Sequence, residues 1–308
     1  RAWTGWTEFY DSVNQSDEVA GRTRTPKSKM LHTLMQRELL KVDIGKVYGP
    51  ERVNKEARRF GLRAGFSLDL TTCDEEGTPW DFSRKIMRDK AEMLILKEES
   101  TLLIGSPMCT DFSSLQNLNW SKMDPDIAKE RMHKAKMHLK FVAELYQAQH
   151  DAGRYFLHEH PWTATSWKQP CIVELMKEKG VEVVRGDMCR FGMTQAGPYG
   201  IQPVMKPTGF LSNSATIRMQ LSKQCPNRSV GRNGDKVHQH VTLMNGRARA
   251  AQVYPRGLCR AICRGLKPQM EADQVGLHYL GNLDQGHMGV EGKLKQSLTN
   301  MYTVQNIT

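Results

Sequence analysis

The 308-residue chain reads as an α/β protein built on a doubly wound, mostly parallel sheet. Three observations predict this. Short apolar runs alternate with longer stretches of helical spacing from Val42 to Val184. Two of those runs empty into loops rich in reactive or turn-forming residues, where open α/β sheets place their chemistry. The composition, 39% hydrophobic and 25% charged, is that of a soluble globular protein, and no apolar run is long enough to span a membrane.

The elements follow in order. Residues 1–41 form an N-terminal arm, charged and Ser/Thr-rich from Asn14 to Lys29, then a short amphipathic helix at 30–40 carried by Met30, Leu31, Leu34, Leu39 and Leu40. A core at 42–210 comes next. Its strands are predicted at 42–48, 66–70, 101–104, 155–158, 181–184 and 208–213. Its helices are predicted at 51–60, 84–97, 126–152 and 170–179, the last begun by Pro170 and stopped by Gly180. Residues 211–249 form a small, polar and basic segment without clear period. A closing helix at 250–266 and a polar tail complete the chain, so the last region spans 250–308.

Net charge is +11, which favours a polyanionic partner, nucleic acid first. The basic residues cluster between Leu211 and Arg249: Arg218, Lys223, Arg228, Arg232, Lys236, Arg247 and Arg249. Phosphate contact is one reading of them; a merely solvated basic loop is the other. The seven cysteines are scattered, with no Cys-x-x-Cys, and read as reduced and intracellular, hence not secreted. Cys225, His238 and His240 would need a distant fourth ligand such as Cys189 to hold zinc. Cys-x12-His-x-His is not a standard spacing, and the expectation is that no metal is bound. His158 and His160 lack a third ligand of suitable local spacing. Arg1 in place of Met suggests a piece of a longer chain.

Two motifs carry the functional reading. After the apolar run Thr101-Leu102-Leu103-Ile104 comes Gly105-Ser106-Pro107-Met108-Cys109-Thr110-Asp111-Phe112-Ser113, a strand that ends in a tight loop bearing a thiol. A cysteine there suits a reactive role better than a core one, although free cysteines are commonly buried. About fifty residues on, Tyr155-Phe156-Leu157 leads into His158-Glu159-His160-Pro161. Glu159 there reads as an acid or as a structural cap or partner of Arg154, and alternation puts His158 and His160 on the opposite strand face.

In order and setting, these motifs resemble the Pro-Cys-x-x-Phe-Ser and Glu-Asn-Val elements of cytosine-5 DNA methyltransferases. The nearest likeness is to divergent methyltransferase-like segments of phage genomes and eukaryotic retrotransposon-like polyproteins. The resemblance spans about Val42 to Gly265. It implies a Rossmann-like S-adenosylmethionine-dependent methyltransferase fold with a short basic target-recognition-like insertion, and a nuclear location if the source is eukaryotic. It implies Cys109 as nucleophile toward carbon 6 of cytosine, Glu159 as the acid at ring nitrogen 3, and Lys206 as a further catalytic contact. Lys206 ends Gln202-Pro203-Val204-Met205-Lys206, which keeps the Gln and final basic residue of the family's Gln-x-Arg-x-Arg motif. S-adenosylmethionine is the implied cofactor, with Tyr48, Gly49, Asp69, Asp81 and Pro107 around it; Asp81 reads equally as a helix N-cap. The family's first loop, Phe-x-Gly-x-Gly, is reduced here to Gly49-Pro50. The implied partner is duplex DNA, contacted by Arg228, Arg232, Lys236 and Arg247, with the target base flipped out of the stack. An RNA substrate, or a degenerate module that binds nucleic acid without catalysis, remains the alternative.

Overall fold

The computed structural model describes residues 42–226, 238–243 and 247–284. Leu39–Glu271 form one compact unit; Arg1–Glu38 and Ala272–Thr308 form a second, of which the described part is the end of the last helix. The predicted arm and its helix at 30–40 lie outside the described residues.

The apolar runs become a six-stranded sheet. In chain order the strands are β1 (Ile44–Val47), β2 (Ala64–Leu68), β3 (Leu102–Gly105), β4 (Tyr155–Pro161), β5 (Glu182–Asp187) and, after a hairpin of β6 (Thr194–Gly197) and β7 (Gly200–Pro203), β8 (Pro207–Ser212). Their spatial order is β2-β1-β3-β4-β8-β5. The pairs β1–β2, β1–β3 and β3–β4 are parallel, whereas β8 runs antiparallel to both neighbours. The molecule is thus α/β with a mostly parallel, mixed sheet.

Helices cover both faces because the central strands are apolar on both sides. Leu102, Ile104, Tyr155 and Leu157 point to one face, and Leu103 and Phe156 to the other, the period of two expected of a strand. On the first face lie α1 (Arg52–Arg59), α5 (Ala215–Leu221) and α6 (Arg256–Asp284), through Val53, Ala57, Ile217, Leu221, Leu258 and Ile262. On the second lie α2 (Lys85–Glu98), α3 (Pro125–Asp151) and α4 (Pro170–Leu175), through Met87, Ile95, Leu139, Val142, Ile172 and Leu175. The longest of these helices on the second face, α3, starts where Asp124 accepts from the Asp126 and Ile127 amides and Pro125 presets the first turn.

Several boundaries differ from the sequence reading for local reasons. β4 runs on to Pro161 because β8 pairs with it through that residue, so Glu159 lies inside a strand. α4 stops at Leu175, and the chain then turns to Gly180, which adopts φ 80°. The closing helix starts at Arg256, where the Pro255 carbonyl accepts from Leu258 and Cys259, and it continues through Pro268 to Asp284. Helix α5 falls in a segment expected to be irregular; Ser214 accepts from the Ile217 amide at its start. No described helix is long and apolar enough to cross a membrane.

Candidate functional site

Strand order reverses between β1 and β3, since their crossovers lead to opposite sides. A crevice opens there, beyond the carboxyl ends of the strands. It encloses about 570 Å³, within the range of small-molecule sites, and is walled by the loops after β1, β2 and β3, by β4, and by residues 252–254 ahead of α6.

The loop after β3 carries Cys109 and is tied down at several points. Ser106 and Tyr254 hydroxyls hydrogen-bond each other. The Pro107 carbonyl accepts from His160 Nε2 at 3.0 Å, and Ser166 Oγ lies 2.7 Å from His160 Nδ1. A carbonyl only accepts, so His160 carries its proton on Nε2 and takes the Ser166 hydroxyl on Nδ1. Burial lowers the His160 pKa to about 4, so it stays neutral and the pairing persists at neutral pH. Beyond the thiol, Asp111 pairs with Arg131 of α3 at 2.5 Å, and buried Phe112 packs beside the His160 ring. Gly105 is required at the start of this loop, because a Cβ there would lie 2.1 Å from the Tyr146 hydroxyl.

Cys109 itself is half-buried. Burial pushes its thiol pKa up, the Glu159 charge pushes it further, and Lys206 pulls it back. The surroundings therefore do not acidify this thiol, since the carboxylate across the cleft outweighs the lysine. Glu159, only 6% exposed, pairs with Lys206 Nζ at 3.4 Å, and Lys206 also donates to the Ala251 carbonyl at 3.1 Å. Arg154, the alternative partner of Glu159, instead binds Gln149 and Glu99.

A residue missed by sequence reasoning completes the inner end. Lys46 of β1 is 2% exposed, and its Nζ stands 4.1 Å from the Tyr254 ring centroid. Burial lowers its pKa from 10.5 to about 8, against the pull of Cys259, Glu159 and Asp69. The sequence signal was a lysine inside an otherwise apolar strand. Its ammonium also explains Gly49, where a Cβ would meet Lys46 Nζ at 2.5 Å.

The outer end is acidic and aromatic. Asp69 follows β2 and accepts on Oδ1 from the Thr71 amide and hydroxyl; among the described residues Oδ2 makes no hydrogen bond. Asp81 accepts from the Ser83 amide and does not cap α2, whose N-cap is Arg84 without a side-chain bond. The Ser83 side chain, outweighing the cost of burial, holds the Asp81 carboxyl below its ordinary range. Tyr48 takes φ 56°, a left-handed conformation unusual for a side-chain-bearing residue, and its ring packs edge-on to Phe82.

The fold therefore brings Tyr48, Gly49, Asp69, Asp81, Pro107, Cys109, Glu159 and Lys206 to one cleft. Gln202 is not among them: it is buried in the β6–β7 hairpin, accepting from the Tyr199 amide. His158 and His160 do share one face of β4, their rings stacked at 4.8 Å beside Trp167. Of the basic residues, Arg218 is corrected from surface to interior. It sits on α5, donating to the Gly180 and Ser212 carbonyls and pairing with Glu182. Arg247 and Arg249 lie on a short helical turn, Arg247–Ala250. Arg228, Arg232 and Lys236 lie outside the described residues. Away from the cleft, Cys189, Cys225, His238 and His240 converge, with ligand atoms all within 4.8 Å of one another.

Compared with protein-family models, curated proteins and solved structures, the chain matches none.

Proposed function

We propose that the chain is a methyltransferase-like domain that forms a covalent adduct through Cys109 with a cytosine of nucleic acid, DNA before RNA. The observation that carries this reading is the meeting of Cys109, Glu159 and Lys206 at the inner end of a cleft whose outer end presents Asp69 and Asp81. The arrangement agrees with a Rossmann-like S-adenosylmethionine-dependent fold.

The residues fit such a cofactor. The cleft volume accommodates a nucleoside-sized ligand beside a base, aromatic rings of Tyr48, Trp80 and Phe82 line it, and the two carboxylates suit ribose hydroxyls and an exocyclic amine. Asp69, Asp81 and the backbone around Gly49 and Pro107 would hold it. When bound, S-adenosylmethionine would supply the methyl group.

The chain's own groups divide the remaining work. Cys109 Sγ adds to carbon 6 of the ring, which requires the thiol to lose its proton. Ring nitrogen 3 gains electron density and requires one. Glu159 stands between these needs: it accepts the thiol proton and presents it to nitrogen 3, and once protonated it ceases to oppose the thiolate. Lys206 keeps the carboxyl oriented. Tyr254 and Pro107, which line the cleft, limit water at the reacting carbon.

The test is a cytosine-containing oligonucleotide with fluorine at carbon 5, incubated with S-adenosylmethionine. The fluorine blocks the elimination that frees the protein, so a stable adduct accumulates. The adduct should map to Cys109 and vanish in Cys109→Ser. An adduct that survives that substitution removes Cys109 from the role. Single-stranded RNA and duplex DNA run in parallel decide between the two polymers.

A further inference from the structure

The cluster of Cys189, Cys225, His238 and His240 lies on elements that the cleft does not use. Cys189 sits on the 3-10 turn Met188–Phe191 that follows β5, Cys225 follows α5, and the two histidines lead into Val241, which bridges to Val204 beyond β7. Three separate parts of the chain thus bring thiols and imidazoles together at one point. Cys225 Sγ is 3.5 Å from His238 Nε2 and 3.6 Å from His240 Nε2, and the two nitrogens are 2.8 Å apart. Tetrahedral zinc, with Zn–S about 2.3 Å and Zn–N about 2.0 Å, sets sulfur-to-nitrogen edges of about 3.5 Å. The sulfur–nitrogen separations already match; the nitrogen pair has to part by a few tenths of an ångström.

We infer that these four side chains bind a structural zinc ion. Two thiolates and two imidazoles form a closed donor set, with soft sulfur ligands that select zinc over magnesium or calcium. The two thiolate charges cancel that of the dication, so no net charge is left in a half-buried setting. The surroundings are built to hold it: Asp187, fully buried, accepts from the Cys225 amide at 2.6 Å and fixes the direction of that ligand. Cys225 and His238 also bracket the twelve residues that carry Arg228, Arg232 and Lys236. The metal would therefore close the base of a basic stretch expected to meet phosphate.

The measurement uses the full chain without an affinity tag. Purified in the presence of zinc and dialysed, it should retain about one zinc per chain by elemental analysis. Stripped with a chelator and titrated with Co²⁺, it should develop the intense visible bands of tetrahedral cobalt together with a thiolate charge-transfer band. Cys225→Ser and His240→Ala should weaken Co²⁺ binding at least tenfold, whereas Cys171→Ser, on α4, should bind as the parent does. A stripped parent protein that gives only the weak spectrum of six-coordinate cobalt overturns the proposal, whatever the variants do. So does zinc retained undiminished by a folded Cys189→Ser/Cys225→Ser protein, which would place the metal elsewhere.

Discussion

Burial moves the pKa of both Cys109 and Lys46, up for the thiol and down for the ammonium, and each shift gives a measurable consequence. The Glu159 charge raises the Cys109 pKa, so Glu159→Gln should speed alkylation of Cys109 a few-fold at neutral pH, while Lys206→Met should slow it. Mass spectrometry of the Cys109 peptide across pH reads this directly; equal profiles in parent and both variants would mean that the three groups do not sense one another. Lys46 has its pKa lowered on folding, from 10.5 to about 8. Below pH 8 it is charged in both states and the native protein bears the full cost of burying an ammonium. Between 8 and 10.5 the native state releases the proton first, and stability rises with pH. Lys46→Met should therefore stabilise the protein by on the order of 1–3 kcal/mol near neutral pH, and the gain should shrink at about pH 10. Urea midpoints at the two pH values check it. Of the residues in this cleft, Gly49, Pro107 and Cys109 were legible because Gly and Pro mark the loops that follow β1 and β3. Lys46 was not, because a strand's side chain shows its burial only once a distant segment packs over it, here Tyr254 ahead of α6.

The same division holds for whole elements. Runs such as Leu102–Gly105 and the helix Pro125–Asp151 were legible because apolar period and start signals agree locally. The β6–β7 hairpin was hidden, because its strands are short, Gly- and Gln-containing and largely exposed, so no alternation marks them. Helix α5 was masked by the polarity around it, and its arginine looked like surface until Gly180 and Ser212 carbonyls surrounded it. Contact between elements also makes Gly105 irreplaceable, since β3 passes beneath α3 with no room for a methyl group. Gly105→Ala is expected to cost about 1–3 kcal/mol, the usual range for overpacking. Adding Tyr146→Phe, which removes the hydroxyl 2.1 Å from the new Cβ, should recover part of the loss. Thermal unfolding of the two proteins decides; no recovery would mean that Val142, at 2.6 Å, is the true obstacle.

At the scale of the molecule, a charge of +11 should make binding to duplex DNA depend steeply on salt. The logarithm of affinity should fall linearly with the logarithm of salt concentration, by about 0.9 per phosphate neutralised. Arg228→Ala/Arg232→Ala/Lys236→Ala should flatten that line. Arg218→Ala should leave its slope intact while lowering stability, since that guanidinium faces inward. An unchanged slope in the triple variant would move the docking surface elsewhere. The topology carries one more consequence, for the order in which the sheet can be assembled. β8 is last in sequence, yet it lies between β4 and β5 and supplies every hydrogen bond that joins β5 to the sheet. As the chain leaves the ribosome, β1 to β4 can pair as they appear, but β4 must wait with one edge open and β5 has no neighbour at all. Until residue 212 has emerged, the edges of β4 and β5 that β8 will join are exposed to other chains. The final strand thus acts as a keystone: folding of this half of the sheet is postponed to the end of synthesis, and a product that stops before Pro207 is left open to aggregation.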